Sequence, residues 1–391
     1  MTNKTDGAAP EQEPKTKKKS FLKKLVAFVL LFCAVAAVAA LTTMEDGTHF
    51  ASLRRWLMYG ESSGTKDAYA YAVDSANLYG KLGSSFLVVN PNTVQLISDN
   101  GAVLYDLSLR MSSPQLSVGK NYAAVCDIGG DTIWILDQNG ISRTLHTERG
   151  MKYFSARLND SDYLAVTEQK TGYKTVVSVY DAEGTLRFDF GAHDNYLSDA
   201  VVTPDCRSVV IVSLESQNGI FASKLLVYDI LQDAELLSEA SIRDGLVQDI
   251  RCNGDRVMSL CDKRFTMTNL AGETLLDRSY GNLYLHDYTL DGDSFCALLL
   301  GRYQAGNICT LVTYDMDGQQ IASMDLTDEV LDIAAGGEYL AVLYGDGLVV
   351  YHSDLTEFAR LAETDYAGQI RMEPDGSVLL ISGSYAWRFL P

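Results

Sequence analysis

The 391-residue chain has few of the side chains that most enzyme and metal sites need. Its five histidines stand singly along the chain, at His49, His146, His193, His286 and His352. The sequence contains no HExxH motif and no phosphate-binding P-loop, and its seven cysteines form no CxxC pair. Zinc and nucleotide sites need these residue types at fixed spacing. The sequence therefore predicts a protein that is not an enzyme, with no catalytic residue, no cofactor and no metal ligands.

Proline is also scarce, and basic residues are outnumbered by acidic ones. The chain has only 7 prolines and is 47% hydrophobic, which is typical of a globular protein with a large core. Residues 1–24 carry seven lysines and three acidic residues, whereas the remainder carries 25 basic and 48 acidic residues. Nucleic-acid binding requires clustered lysine and arginine. The acidic body, which shows no basic stripe, therefore predicts no nucleic-acid partner.

One long hydrophobic run lies near the N-terminus. Seventeen apolar residues, Leu25 to Leu41, follow a lysine-rich stretch. The run spans roughly 26 Å as a helix, close to the ~30 Å hydrocarbon core of a membrane, and the preceding lysines orient the N-terminus towards the cytoplasm. We expect a disordered basic cytoplasmic tail (1–20), a single transmembrane helix (21–43), and a juxtamembrane helix and linker (44–66). Cleavage of the run as a signal peptide, after Ala39, is the alternative.

A strand–turn pattern organises the rest of the chain. It is clearest at Val177 to Phe188, where β-forming residues lead into Asp181–Gly184 and alternation then resumes. Asp bonds the backbone of a tight turn and Gly accepts its positive φ. Copies of the turn position fall at residues 98, 137, 181, 229, 269, 315 and 352. Their intervals of 39, 44, 48, 40, 46 and 37 residues are typical of four-stranded propeller blades.

Continuous apolar runs give the number of blades. Such runs indicate strands that are covered on both faces by neighbouring blades. Eight occur, at Phe86–Val89, Tyr122–Val125, Tyr163–Val166, Val209–Val212, Val257–Leu260, Phe295–Leu298, Tyr339–Val342 and Val378–Ile381. We therefore predict an all-β protein, an eight-bladed β-propeller over residues 67–391, with seven blades as the alternative.

The last blade has only three strands before the chain ends. The segment 69–73 alternates like a strand and precedes the first complete blade. Pairing of 69–73 with 385–390 would complete the last blade and leave no open edge. We expect this pairing to close the ring.

Four aspartates recur at one position of the predicted innermost strands. They are Asp199, Asp249, Asp287 and Asp332, and their spacings of 50, 38 and 45 residues follow the blade repeat. Side chains at one repeat position should lie at one level of the central channel. The structural interpretation is that each accepts backbone N–H groups from a neighbouring loop and joins blade to blade. The alternative is a site for a cation or a basic ligand at the channel mouth.

Six cysteines lie in the body of the chain, and two pairs would fall on adjacent strands of one blade. These pairs are Cys252 with Cys261 and Cys296 with Cys309. A disulfide needs Cβ atoms that face each other. Only these two pairs are candidates.

The order of these segments resembles an uncharacterised family, a domain of unknown function found in membrane-anchored β-propeller proteins of Gram-positive bacteria. The resemblance is carried by the lysine-rich tail, the single span, Leu53-Arg54-Arg55-Trp56 with Tyr59-Gly60, and Tyr122 to Gly130. It implies an extracytoplasmic propeller and brings no activity. The repeat is also similar to pyrroloquinoline-quinone-like and WD40-like propeller repeats. The tryptophan that ends the quinone-type repeat is missing after Gly140, Gly184 and Gly318.

The leading functional hypothesis is a non-enzymatic binding or scaffolding module, held at the cell membrane by its single span. Loops vary freely on a closed propeller, which suits the binding of an envelope protein or polymer. Two alternatives are a quinoprotein-like oxidoreductase and a transmembrane sensor.

Overall fold

A computed structural model describes residues 64–391, with gaps at 73, 75, 218–219 and 232–233. The predicted tail (1–20), membrane helix (21–43) and most of the linker (44–66) lie outside the described residues. Within the described part of the chain, 32 strands form eight four-stranded sheets. No helix long and apolar enough to cross a membrane is found among these residues.

The first strand, β1 (Gly64–Ala70), belongs to the last blade, and the other strands follow in blade order. Blade 1 comprises β2 (Leu78–Leu82), β3 (Ser85–Val89), β4 (Thr93–Ile97) and β5 (Val103–Ser108). Blade 2 comprises β6 (Pro114–Val118), β7 (Ala123–Asp127), β8 (Thr132–Asp137) and β9 (Gly140–His146). Blade 3 comprises β10 (Tyr153–Leu158), β11 (Leu164–Glu168), β12 (Thr175–Tyr180) and β13 (Leu186–Ala192). Blade 4 comprises β14 (Tyr196–Val202), β15 (Ser208–Gln217), β16 (Ile220–Asp229) and β17 (Leu236–Ile242).

The remaining four blades repeat this arrangement. Blade 5 comprises β18 (Val247–Asn253), β19 (Arg256–Cys261), β20 (Arg264–Asn269) and β21 (Thr274–Ser279). Blade 6 comprises β22 (Tyr284–Thr289), β23 (Phe295–Gly301), β24 (Cys309–Asp315) and β25 (Gln320–Leu326). Blade 7 comprises β26 (Val330–Gly336), β27 (Tyr339–Tyr344), β28 (Leu348–His352) and β29 (Glu357–Leu361). Blade 8 comprises β30 (Gln369–Met372), β31 (Val378–Ile381), β32 (Tyr385–Leu390) and, as its outer strand, β1.

The eight-bladed propeller predicted from the sequence is confirmed. Apolar side chains of adjacent blades pack against each other, as Leu299 and Leu311 of blade 6 do against Leu340 and Val342 of blade 7. The second strand of each blade is covered on both sides, and every residue of β23 is buried. Burying one such aliphatic side chain contributes about 1.5–3 kcal/mol. The core therefore lies between the blades and fixes the positions of the inner strands.

The repeated Asp–Gly turn joins the third strand of a blade to the fourth, as the sequence indicated. In blade 3 the Asp181 carboxylate accepts the Thr185 N–H at 2.7 Å, and the Gly184 N–H donates to the Asp181 carbonyl at 2.8 Å. Gly184 has a φ of +84°, and a Cβ there would collide with the Arg143 guanidinium of blade 2. The turn therefore contributes both to its own hairpin and to the contact between two blades.

The ring closes through β1, which pairs antiparallel with β32 from Gly64 opposite Leu390 to Ala70 opposite Tyr385. The strand begins at Gly64, so it is earlier than the 69–73 expected from the sequence and includes the end of the predicted linker. The alternating pattern of residues 69–73 comes largely from two tyrosines that pack against blade 1. Tyr69 and Tyr71 are buried against Phe86 of blade 1, and the Tyr71 hydroxyl donates to the Ser382 carbonyl at 2.6 Å.

Neither candidate disulfide forms, and the six described cysteines are free. In blade 5, Cys252 lies opposite Val257 while Cys261 lies opposite Val247. The two cysteines are thus at opposite ends of one hairpin. Cys296 and Cys309 are separated in the same way in blade 6, where Cys309 pairs with Gly301. Adjacent strands brought each pair into one hairpin, but the register keeps the sulfur atoms apart.

Candidate functional site

The strand order gives the propeller two distinct faces. The face at which each inner strand begins is called the upper face. It also carries the hairpins that join the second strand of a blade to the third. The lower face carries the remaining hairpins. Because all strands within a blade are antiparallel, every loop can be assigned to one face from its place in the chain.

The four predicted aspartates occupy one position in the inner strands of blades 4 to 7. In each of these strands a bulge comes directly before the aspartate, between Leu197 and Asp199, for example. A bulge inserts one extra residue and redirects the following side chain. The repeated bulge therefore places Asp199, Asp249, Asp287 and Asp332 equivalently, as their spacing predicted.

Arg157 of blade 3 holds the first two aspartates together. Its Nη2 lies 2.6 Å from Asp199 Oδ2 and 2.8 Å from Asp249 Oδ1, and its Nε donates to Asp199 Oδ1 at 3.2 Å. Tyr288 of blade 6 donates its hydroxyl to Asp249 Oδ2 at 3.0 Å. Burial disfavours the charged guanidinium, but the two carboxylates outweigh it and raise the pKa of Arg157. This group therefore joins four successive blades through side chains.

Asp287 and Asp332 have a different environment. Asp287 Oδ2 accepts the Ile333 N–H of blade 7 at 3.0 Å, and Asp332 Oδ2 accepts the Ile370 N–H of blade 8 at 2.7 Å. The structural interpretation had assigned backbone donors from a neighbour to all four aspartates. It is wrong for Asp199 and Asp249, whose neighbouring blades offer the Arg157 guanidinium and the Tyr288 hydroxyl.

Positive charge near this second pair is limited. Within the described residues, no lysine or arginine lies within ion-pair distance of Asp287, and Arg371 approaches Asp332 Oδ2 only to 4.0 Å. Burial, with the charge of Asp332, raises the pKa of Asp287 to about 7. Burial also raises the pKa of Asp332. Arg371 is therefore the one basic residue described within ion-pair distance of this pair, and it reaches Asp332 but not Asp287.

A cavity of about 600 Å³ opens at the upper face beside this pair. Its walls come from blades 6, 7 and 8 and include Asp287, Asp332, Arg371, Gln304 and Leu331. A smaller cavity of about 280 Å³ lies further along the inner strands and is lined by Arg157, Val202 and Cys252, among others. Pockets of a few hundred cubic ångströms with a few converging polar groups are the usual form of ligand sites.

His286 borders the larger cavity and is held on both ring nitrogens. Nε2 lies 2.7 Å from the Tyr303 carbonyl, so it carries the proton, and Nδ1 lies 3.4 Å from Cys309 Sγ. Burial raises the pKa of the Cys309 thiol. A nucleophilic cysteine needs a lowered pKa. The contact therefore positions the 302–308 loop and does not form an activated thiolate.

Exposed tyrosines lie on one face only. All six exposed tyrosines among the described residues belong to the upper face, namely Tyr173, Tyr196, Tyr284, Tyr303, Tyr366 and Tyr385. Exposed aliphatic residues such as Leu104, Leu186 and Leu236 instead begin outer strands at the lower face. Tyrosine is enriched in protein interfaces because it combines a large apolar ring with a polar tip. The upper face therefore has the composition of a binding surface.

Tyr366 is presented by a strained turn. Asp365 and Tyr366 have φ values of +43° and +63°, and the Ala367 N–H donates to the Thr364 carbonyl at 2.8 Å. These are the features of a turn whose central residues are usually Asn or Gly. The left-handed conformation costs about 1–3 kcal/mol for other residues. The side chain it presents is 99% exposed, so the strain stabilises no internal contact of the tyrosine ring.

Charge is unevenly distributed over the upper face. The exposed loops around blades 7 and 8 carry Asp328, Glu329, Asp346, Glu363 and Asp365. On the far side of the ring, the loops around blades 2 and 3 expose four basic residues, Arg110, Arg149, Lys152 and Lys174. The blades around the larger cavity also expose Arg302 and Arg371, but acidic residues outnumber them there, so the field beside the cavity favours cations.

Among the described residues, no group of three or more His, Cys, Asp or Glu side chains is arranged to hold a metal ion. Two of the four channel aspartates already bind Arg157.

Sequence reasoning identified the aspartates but missed their partners. Arg157 precedes the first aspartate by one blade and lies on β10, whose inner-strand position carries no aspartate. The structure shows the same kind of bulge in β10, between Tyr153 and Ser155. The tyrosine distribution could have been found by assigning each tyrosine to a face from strand order.

Comparison with known proteins gives one family match. The profile of a family of unknown function (DUF5711) matches residues 61–354. No curated protein matches the sequence significantly.

Several solved structures share the fold. The C-terminal WD40 domain of Sif2 is 12% identical with a TM-score of 0.57, over 84% of this chain and 99% of that one. BamB from Moraxella catarrhalis is 10% identical with a TM-score of 0.53, over 83% and 100%. The quinohemoprotein alcohol dehydrogenase ADHIIG from Pseudomonas putida HK5 is 10% identical with a TM-score of 0.55, over 83% and 75%. At this identity the likeness shows the propeller fold and nothing of activity.

Proposed function

Since the chain belongs to the DUF5711 family, whose function is unknown, no activity can be carried over from relatives, and we propose from its geometry that it is a non-enzymatic binding module. Its binding surface is the upper face of the propeller. The observation that carries the proposal is the restriction of all exposed tyrosines among the described residues to that face. Aromatic anchors around a concave centre are the usual form of an interface hot spot.

The proposal extends to where the module acts. The lysine-rich segment and apolar run before residue 42 favour a single membrane span, with the propeller outside the cytoplasm. Cysteine introduced at the exposed turn residue Glu183 should react with a membrane-impermeant maleimide on intact cells. Reaction only after the cells are permeabilised would refute this location.

The partner would be a protein or polymer of the cell envelope. The closed ring favours this role, since it holds the loops of one face on a rigid base. A partner that docks there would cover several tyrosines at once.

Site-specific photo-crosslinking in the native envelope tests the proposal. A photoreactive phenylalanine at Tyr303 or Tyr284 should capture a discrete partner, because both residues are exposed on the upper face and directly precede residues that line the cavity, Gln304 and Leu285. The matched control is Leu231, which is exposed on a turn of the lower face and should capture nothing specific. Equal capture from both faces, or none from the upper face, would contradict the proposal.

A further inference from the structure

The larger cavity lies at the centre of a surface that combines exposed apolar side chains with acidic loops. Six exposed apolar residues belong to the upper-face segments of blades 6 to 8 that form its walls, namely Leu283, Tyr284, Tyr303, Ile308, Leu331 and Tyr366. Several are tied to its walls. Leu331 lines the cavity, and the Tyr303 carbonyl bonds His286, which also lines it. We call this surface the blade 6–8 sector.

The neighbouring blades show what the repeated aspartates bind. In blades 4 and 5, the same bulged position in successive inner strands provides Asp199 and Asp249, and one guanidinium bridges both. Asp287 and Asp332 hold the same strand position in blades 6 and 7, beside the open cavity. Arg371, which also lines the cavity, reaches only Asp332, at 4.0 Å, and does not bridge the two carboxylates. A planar guanidinium fits paired carboxylates better than an ammonium does, because its N–H groups are fixed in a fork.

We propose that the blade 6–8 sector docks an arginine-bearing segment of the partner protein, with the guanidinium in the cavity between Asp287 and Asp332. The inference rests on the proposed function and specifies its partner. The charge of the sector indicates the kind of segment that binds. Five acidic residues that attract a cationic segment are exposed there, namely Asp328, Glu329, Asp346, Glu363 and Asp365. The surrounding tyrosines can stack on the guanidinium and on apolar neighbours of the arginine.

The strained turn at Asp365 and Tyr366 supports this assignment. A tyrosine held in the left-handed region and almost fully exposed makes no internal use of its ring. Tyr366 lies two residues before Gly368, which lines the cavity. Strain of this kind concentrates at binding sites, where the presented side chain acts on a ligand.

Two matched peptides test the proposal on the purified full-length chain in mild detergent. The probe is the acetylated and amidated peptide Gly-Tyr-Arg-Gly, and its control replaces Arg with citrulline, which is isosteric and uncharged. Isothermal titration should give a dissociation constant of up to about 1 mM for the arginine peptide, with the citrulline peptide at least about tenfold weaker. Equal binding of the two peptides, or no binding at about 10 mM, would overturn the proposal.

Three variants separate the cavity from its surroundings. Asp332→Asn should weaken binding about tenfold, whereas Asp346→Asn, in the same acidic sector but outside the cavity wall, should change it less than about twofold. Tyr366→Asn should weaken binding about threefold without lowering the melting temperature, because Asn tolerates the left-handed turn. If Asp332→Asn does not fold, the weaker binding of the folded Tyr366→Asn variant still tests the site. Unchanged binding in Tyr366→Asn together with unchanged binding in any folded Asp332 variant would refute it.

Two further outcomes show which part of the proposal has failed. If upper-face crosslinks persist while the arginine peptide fails to bind, this inference is wrong and the binding function stands. If sedimentation shows a dimer that Asp332→Asn and Arg149→Gln each dissociate, the occupant is a second copy of the chain and the partner segment is refuted.

Discussion

Replacing Arg157 should destabilise the propeller more than any comparable surface substitution. The guanidinium makes three charge-assisted bonds, and Asp199 and Asp249 keep only 14% and 25% of their side chains exposed. Breaking a buried ion pair by removing one partner costs about 3–5 kcal/mol, because the other charge stays uncompensated. Partial exposure and the retained Tyr288 hydroxyl reduce this cost. We therefore expect Arg157→Met to lower the free energy of unfolding by about 3 kcal/mol.

Urea denaturation of the full-length chain, followed by circular dichroism, measures the effect. With a slope of about 3 kcal/mol per molar, the midpoint should fall by about 1 M. The triple variant Arg157→Met, Asp199→Asn, Asp249→Asn should recover about 2 kcal/mol, since it leaves no unpaired charge. Arg251→Met is the matched control: Arg251 pairs with Asp291 at the surface and should cost less than about 1 kcal/mol. A triple variant no more stable than Arg157→Met would refute the reasoning.

Two other features give predictions of stability. Burial and the Asp332 charge raise the pKa of Asp287 to about 7, well above the unfolded value, so the folded chain binds an extra proton between pH 4 and 7. The free energy of unfolding should therefore fall by up to about 1.4 kcal/mol per pH unit from about pH 4 to about pH 7. Urea midpoints measured over this range should fall less steeply with pH in Asp287→Asn, and parallel curves for the two proteins would contradict the prediction. Deleting residues 67–74 removes most of the strand that pairs with β32, together with Tyr69 and Tyr71, so the melting temperature should fall for the entire domain and not for blade 8 alone. An unchanged melting temperature would show that β1 does not close the ring.

The parts of the fold that could be predicted are those set by local chemistry repeated along the chain. The Asp–Gly turn at Asp181 forms from its own backbone and side-chain bonds, so its recurrence gave the blade period directly. The common level of the four aspartates was predictable because the same bulge recurs in each strand.

The parts that could not be predicted depend on which blades become neighbours. Arg157 reaches its aspartates only once blades 3, 4 and 5 are arranged around the channel. Gly64 and Thr65 have the composition of a hinge, and they become a strand because β32 offers an unpaired edge. Whether Asp287 has a counter-ion likewise depends on side chains distant in sequence.

The pairing of β1 with β32 also has a consequence during synthesis. β1 is made first among the described strands, yet its partner, Tyr385–Leu390, is made last among them. All the strands in between must therefore be synthesised before β1 can pair, and until then β1 and the outer side of blade 8 expose unpaired backbone. A chain that stops before Tyr385 is an open, aggregation-prone ring segment, because β1 then has no strand to pair with. Closure of the ring therefore requires Tyr385–Leu390 and every strand made before it.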